Sequence, residues 1–399
     1  MAGNETKRKI RLAYLVSHPI QYQAPLLRLI AADPRIDLHV FFCSDLSLKE
    51  NLDPGFGVTI RWDVPLVEGY SHEFLPAWGS RDRLSFWRPW NHGLLRRLKA
   101  GGYDFLWIHG YNRFAHWLAV AAARQLGVKV LIRDEANLIC RPRGTAKKLL
   151  KAAFFRWLNP RVHRFLAIGS LSRDYYLNYG VDPSRILSVP YAVDNDFFRR
   201  RAEESGKAAE RLRAELRLAP GRPVLLFCSK MIARKRARDL LEAYIRISSG
   251  GTEPEPYLLF VGDGPGRAEL ESRAQATGWN SIRFTGFKNQ TELPAYFRLA
   301  DLFILPSVEE PWGLIVNEVL NAARPVLVSD QVGCAPDLVR DGVNGFVFRA
   351  GNVADLQAKI GLFLGRRQDW DRMGQAGLEI VGRWSFREDL EGLRGALGL

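Results

Sequence analysis

Cysteine is scarce in this chain. Its four cysteines in 399 residues, Cys43, Cys140, Cys228 and Cys334, stand far apart, and none forms a C-x-x-C pair. That spacing argues against a zinc site and a dithiol redox motif. It leaves reduced, packed thiols of the kind a cytoplasmic protein carries. Long apolar runs are missing too. No stretch of about 18 uncharged apolar residues occurs, so nothing has the length to span a bilayer. The start, Met1 to Arg11, is polar and basic, and the apolar run behind it, Leu12 to Val16, is too short for a signal peptide. Short-period repeats and low-complexity tracts are absent, and 47% hydrophobic with 25% charged residues is ordinary globular composition. Acid is missing from one long stretch: from Ala136 to Arg173 there is no Asp or Glu, against nine Lys and Arg. The gap belongs to a wider imbalance. Residues 1–200 hold 30 Lys and Arg against 17 Asp and Glu, a net of +13 out of the chain's +14. Such a patch suits an acidic partner, whether nucleic acid, anionic lipid or a phosphorylated substrate.

What is present is alternation. The length predicts two domains. Short apolar strands at Ile10–Val16, Leu38–Phe42, Asp104–His109, Val128–Arg133, Phe165–Ile168 and Ile186–Val189 alternate with helical patterns, which predicts a parallel sheet. The Pro-, Gly- and Trp-rich segment Asn51 to Gly102 carries no clear pattern. Around Val193 to Pro220 strand patterns stop, and a second alternating series begins at Val224–Cys228. The expected architecture is α/β, two doubly wound Rossmann-like domains facing a cleft: residues 1–195, residues 196–382, and a last helical stretch, 383–399, available to pack back on the first domain.

The most informative stretch runs from Leu302 to Glu318. A buried strand, Leu302–Leu305, ends at Pro306-Ser307. A loop with Glu309 and Glu310 follows, then Gly313, then an apolar-periodic helix carrying Glu318. In open α/β sheets the carboxyl ends of strands face the ligand. The amides of Gly313, Leu314 and Ile315 open the helix and offer free N–H groups at its positive dipole end. A phosphate fits such a socket, and carboxylates on either side of it accept hydrogen bonds from sugar or ribose hydroxyl pairs. Lys230 and Lys235 follow the strand Val224–Cys228, where cations neutralise a departing diphosphate or simply form a solvated basic loop. Gly262 and Gly264 lie in a βα turn whose Pro265 and spacing argue against a dinucleotide fingerprint. In the first half, His18 and Gln21 follow the first strand. His109, Asp134 and Glu135 close the strands Asp104–His109 and Val128–Arg133.

The spacing of Glu310 and Glu318 resembles the E-x7-E motif of family 4 retaining glycosyltransferases, which have the GT-B fold, and the pattern from Pro306 to Val326 is similar to that family too. The resemblance runs from Ile10 to about Trp384. It implies transfer of a sugar from a UDP- or GDP-sugar to a glycan or lipid-linked acceptor, without metal or other cofactor. It places Glu318 on the ribose and Glu310 on the donor sugar. Lys230, Lys235 and the Gly313–Ile315 amides go to the diphosphate, and Gly262, Gly264 and Gly286 lie near the nucleotide. On the acceptor side His18, Gln21, His109, His116, Asp134 and Glu135 are the candidates, and Arg133-Asp134-Glu135-Ala136 stands where the family usually has a histidine. Asp194-Asn195-Asp196 looks like a D-x-D metal triplet, but it sits in a segment that resembles the family's interdomain hinge. The competing classes fit less well. A dinucleotide oxidoreductase needs glycines after the first strand, and Ser17 to Gln21 contains none. A nucleic-acid binder would show a recognisable module. The basic amphipathic stretch with Lys147, Lys148, Lys151 and Arg156 suits either the anionic inner face of a membrane or an ordinary surface helix.

Overall fold

The structure is a computed structural model that describes residues 8–140, 144–251 and 254–399. The basic start, Met1 to Lys7, and two cations of the acid-free run, Arg141 and Arg143, lie outside the described residues. The chain forms two parallel sheets. The first contains β1 (Ile10–Val16), β2 (Ile36–Phe42), β3 (Ser71–Phe74), β4 (Phe105–His109), β5 (Lys129–Arg133), β6 (Arg164–Ala167) and β7 (Ile186–Ser188), in the order β7-β6-β5-β4-β1-β2-β3. The second contains β8 (Val224–Cys228), β9 (Tyr257–Val261), β10 (Ile282–Phe284), β11 (Leu302–Leu305), β12 (Val326–Ser329) and β13 (Gly345–Phe348), in the order β10-β9-β8-β11-β12-β13. Both orders reverse direction once, between β1 and β4 and between β8 and β11. Those reversals create the crevices where such sheets take ligands.

The strands form because they are apolar on both faces. Every residue of β8, β9, β11 and β12 is buried, as expected for strands covered by helices above and below. The last helix, Phe386–Leu397, packs Leu390, Leu393, Ala396 and Leu397 against Leu12, Tyr14, Trp107 and Leu131 of the first sheet. It begins with a capping box between Ser385 and Glu388. Two ion pairs fix it there: Arg133 to Asp389 at 2.7 Å, with both side chains buried, and Arg394 to Asp33 at 2.8 Å. The chain therefore crosses between the sheets twice. Asn195 ties the crossings together, donating to the carbonyl of Val381 and accepting from Asn321.

Three stretches of chain add elements to the sequence reading. Within the segment left unassigned, Ser71–Phe74 joins the first sheet as an edge strand, a hairpin pairs Asn51–Asp53 with Val58–Ile60, and Leu94–Gly101 is a helix between two left-handed glycines. The stretch Glu203–Leu218 contributes to two helices, Asn195–Glu204 and Gly206–Glu215, whose Phe198, Ala202 and Ala209 pack on the second sheet. A further helix, Trp370–Val381, carries Gly374 against the carbonyl of Ala323, where an added Cβ would come within 2.1 Å of the oxygen.

Candidate functional site

A cavity of about 340 Å³ lies at the carboxyl ends of β8, β9 and β11. The loop after β11 builds one wall. The carbonyl of Glu310 accepts from the Gly333 amide at 2.9 Å, and the Glu310 amide donates to the Gln331 carbonyl, so the loop is clamped in a short bridge. Gly313, at φ +98°, then turns the backbone into the helix Leu314–Leu320. Its left-handed conformation suits glycine. The first amides of that helix have no partner within it, and Gly313, Leu314 and Ile315 all line the cavity.

The charges meet in the same place. Lys235 forms an ion pair with Glu310, and both side chains are largely buried. Lys230 pairs with Asp53 at 2.7 Å. Arg234 donates to the Glu309 carbonyl at 2.9 Å and also lines the cavity. Glu318 stands apart. It is half-buried and has no ion pair among the described residues, and burial pushes its carboxyl up to about 8. Gly262 lines the cavity, and an added Cβ there would lie 2.1 Å from the Ser229 carbonyl oxygen. Gly264 and Gly286 do not line the cavity as the sequence suggested. Gly264 packs against the carbonyls of Met231 and Gly55, and the Gly286 carbonyl accepts from the Gly262 amide at 2.8 Å. They shape the wall and hold it in register.

The first domain closes this cavity with the hairpin Asn51–Ile60. Asp53, Phe56 and Trp62 line it, Phe56 meets Phe287 with ring centroids 4.9 Å apart, and Asn289 donates to the Arg61 carbonyl at 2.7 Å. Sequence reasoning missed these residues. The hairpin is too short and polar for a periodicity signal, and its partners lie more than 170 positions away.

A second cavity, of about 510 Å³, adjoins the first and shares Tyr22 with it. His18, His109, Asp134 and Glu135 line it, so four of the six acceptor-side candidates converge. Gln21 does not join them and lines the first cavity instead. Glu135 accepts from the hydroxyls of Tyr191 and Tyr22, and burial holds its carboxyl above the usual range. Burial likewise raises Asp134, opposed by Lys151. The imidazoles are driven the other way. Burial, then Arg113, lowers His18 to about 4; burial, then Arg133, takes His109 well below its ordinary value. Both rings are neutral at pH 7. Gln23 links His109 to Tyr14, accepting from the tyrosine hydroxyl at 3.0 Å and lying 3.1 Å from the histidine. His116 is buried in the helix Phe114–Gln125 and lines neither cavity. Asp194 caps the helix Asn195–Glu204 by accepting from the Phe197 amide at 2.9 Å, which accounts for the first carboxylate of the D-x-D triplet.

Residues 24–192 match the family described as "Glycosyl transferase 4-like domain", and residues 208–379 match "Glycosyl transferases group 1". Among curated proteins, a D-inositol 3-phosphate glycosyltransferase of Nocardia farcinica is 31% identical over 54% of this chain and 48% of its own length. A 2-deoxystreptamine glucosyltransferase of Streptomyces kanamyceticus is 33% identical over 43% of each. The chain thus spans about half or less of the length of these relatives. Among solved structures, Anabaena HepE in complex with UDP superposes with a TM-score of 0.73 at 18% identity, covering 98% of this chain and 100% of that one. A glycosyltransferase from Rickettsia africae gives 0.71 at 16% identity, covering 98% and 99%.

Proposed function

We propose that this chain, which belongs to the group 1 glycosyltransferases with a 4-like first domain, moves a sugar from a UDP- or GDP-sugar to a hydroxyl of a glycan or lipid-linked acceptor, with retention of anomeric configuration and without a metal ion. The observation that carries the reading is the first cavity. It brings Lys230, Arg234 and Lys235 together with the helix-opening amides of Gly313–Ile315, and Glu310 and Glu318 line the same cavity. A diphosphate there replaces the carboxylates as partner of the lysines, and cationic side chains meet its growing charge. Glu318 accepts the ribose hydroxyls. Glu310, freed from Lys235, accepts hydroxyls of the donor sugar. Phe56, Trp62 and Phe287 wall the pocket with apolar rings suited to a base.

The reaction breaks the bond between the anomeric carbon and the diphosphate oxygen. The acceptor hydroxyl forms the new bond on the same face, and its proton passes to the leaving phosphate oxygen, so no enzyme nucleophile is required. Glu135, Asp134 and the neutral rings of His18 and His109 orient the acceptor in the second cavity. Relatives whose names specify glycosyl transfer, and a neighbour solved with UDP, support the donor class. The test is incubation with a panel of UDP-, GDP- and ADP-sugars, reading thermal stabilisation, and proton NMR of the product formed on an acceptor. A protein that no nucleotide sugar stabilises fails the donor assignment, and a product of inverted configuration fails the mechanism.

A further inference from the structure

The first domain carries a face that the donor chemistry does not use. The helix Phe114–Gln125 is flanked by two apolar grooves that share Leu118 and Ala121. One, of about 490 Å³, runs to Leu150, Phe154 and Trp157; the other, of about 310 Å³, runs to Leu94 and Leu95. Around them stand large apolar side chains exposed to solvent: Leu149 at 67%, Leu150 at 72%, Trp78 at 68% and Trp87 at 56%. Every exposed tryptophan among the described residues is found here, the third being Trp90. The aromatic side chains rest on one another. Trp87 and Trp90 rest on Phe114 with centroids 5.0 and 5.8 Å apart, and Trp117 stacks on Phe154 at 4.9 Å. Single exposed apolar residues are ordinary, but a contiguous patch marks an interaction surface.

The charge around the patch is predominantly positive. Residues 78–173 contain 19 Lys and Arg and four acids, Asp82, Asp104, Asp134 and Glu135. Asp82 is exposed and accepts from the Ser80 hydroxyl at 2.8 Å. Asp104 accepts from Arg8 and from the Arg11 amide, while Asp134 and Glu135 line the cleft. Lys147, Lys148 and Arg156 are exposed on the helix Thr145–Leu158, and Lys99 and Arg124 on the neighbouring helices. No helix among the described residues is long and apolar enough to cross a membrane.

We infer that this face docks on an anionic lipid bilayer, with Trp87, Trp90, Leu149 and Leu150 at the depth of the headgroups and the surrounding lysines and arginines on lipid phosphates. Exposed tryptophans and leucines ringed by cations match the chemistry of the bilayer interface, whereas a nucleic acid or an acidic peptide would leave the leucines in water. The helix Thr145–Leu158 then has a second role. Its Lys151 lines the acceptor-side cavity while its Leu150, Phe154 and Trp157 line the groove. Docking thus sets the mouth of that cavity at the membrane surface, within reach of an acceptor carried on lipid.

The test is co-sedimentation of the full chain with phosphatidylglycerol-containing and with pure phosphatidylcholine vesicles at low and high salt, with tryptophan quenching by brominated lipid. The intact protein should bind the anionic vesicles only, be released by salt, and be quenched. Lys147→Glu with Lys148→Glu should lower partitioning at least about tenfold, since each cation at such a surface counts for about a fivefold change. Leu149→Asp with Leu150→Asp should abolish quenching. Both variants should bind UDP as the parent does, because neither pair touches the donor cavity. If one variant misfolds, the other decides. Equal binding to neutral vesicles, binding to neither, variants that bind like the parent, or anionic binding without quenching would each overturn the inference.

Discussion

Nucleotide binding should tighten as pH rises, through Glu318. Burial holds its carboxyl at about 8, and no ion pair among the described residues opposes that. At pH 7 most copies are therefore protonated. Ribose hydroxyls bond to a carboxylate at about 1.5–3 kcal/mol and to a neutral acid at about 0.5–1.5 kcal/mol. A difference of about 1.4 kcal/mol equals one pH unit, so nucleotide should pull the group from about 8 down to about 7. Binding then releases a proton, and affinity should rise about tenfold in total across that window, flat above and below it. Glu318→Gln keeps the shape and cannot ionise, so it should show no such rise. The assay is UDP titration by calorimetry from about pH 6 to about pH 9 in buffers of differing ionisation enthalpy, which also counts the proton released. The nucleotide's own phosphate titrates in both proteins, and the ratio of the two profiles isolates the side chain. A pH-independent ratio, or one that moves the other way, would refute the ribose assignment. The empty protein gives a second check. A carboxyl raised from 4.5 to about 8 on folding makes the folded state bind the extra proton. Stability should therefore fall as pH rises through that range, and less so in Glu318→Gln.

Two other outcomes follow from the same cavity. Lys235→Ala should lower kcat more than it raises KM, because diphosphate charge grows as the sugar leaves; steady-state kinetics showing a KM effect alone would mean uniform binding instead. Asp53→Asn should tighten UDP severalfold, since the carboxylate that pairs with Lys230 at 2.7 Å competes with the incoming phosphate; a weaker Kd by calorimetry would mean that Asp53 serves to orient the lysine.

The second domain was legible because its chemistry is local. Strand, carboxylate loop, glycine and helix succeed one another from Leu302 to Leu320, and one parallel strand fixes where they all point. Lys230 and Lys235 also follow a strand and line the cavity, but position alone left a solvated basic loop open, and only the family resemblance pointed to the site. Asp53, Phe56 and Trp62 could not be read from sequence, since a three-residue hairpin strand has no period to detect and its partners belong to the other domain. The helix Trp370–Val381 was hidden for a different reason. Its two interior glycines lower helix propensity, and tight contacts with Ala323 and Leu320 favour them there. Gln21 was misplaced because it lies in the loop that separates the two cavities, where neighbours one position apart, Gln21 and Ile20, face opposite sides.

The helix that returns to the first sheet has a bearing on how the molecule is made. Arg133 waits for Asp389, 256 positions downstream, and Asp33, already paired with Arg35, gains Arg394 from 361 positions downstream. A ribosome delivers the N-terminal strands first, yet the apolar surface over Leu12, Trp107 and Leu131 stays open until the helix Phe386–Leu397 emerges. At about 5–20 residues per second, the interval is on the order of tens of seconds. During that time the half-finished sheet exposes a face that would be prone to stick to other chains, and the Arg133 guanidinium lacks its Asp389 counter-charge. The second sheet, complete within its own span, can close first and hold the two crossings in register for the final docking. Such long-range closure slows folding relative to local packing. It also makes the first domain, cut at the hinge and expressed alone, a poor candidate for an isolated fold.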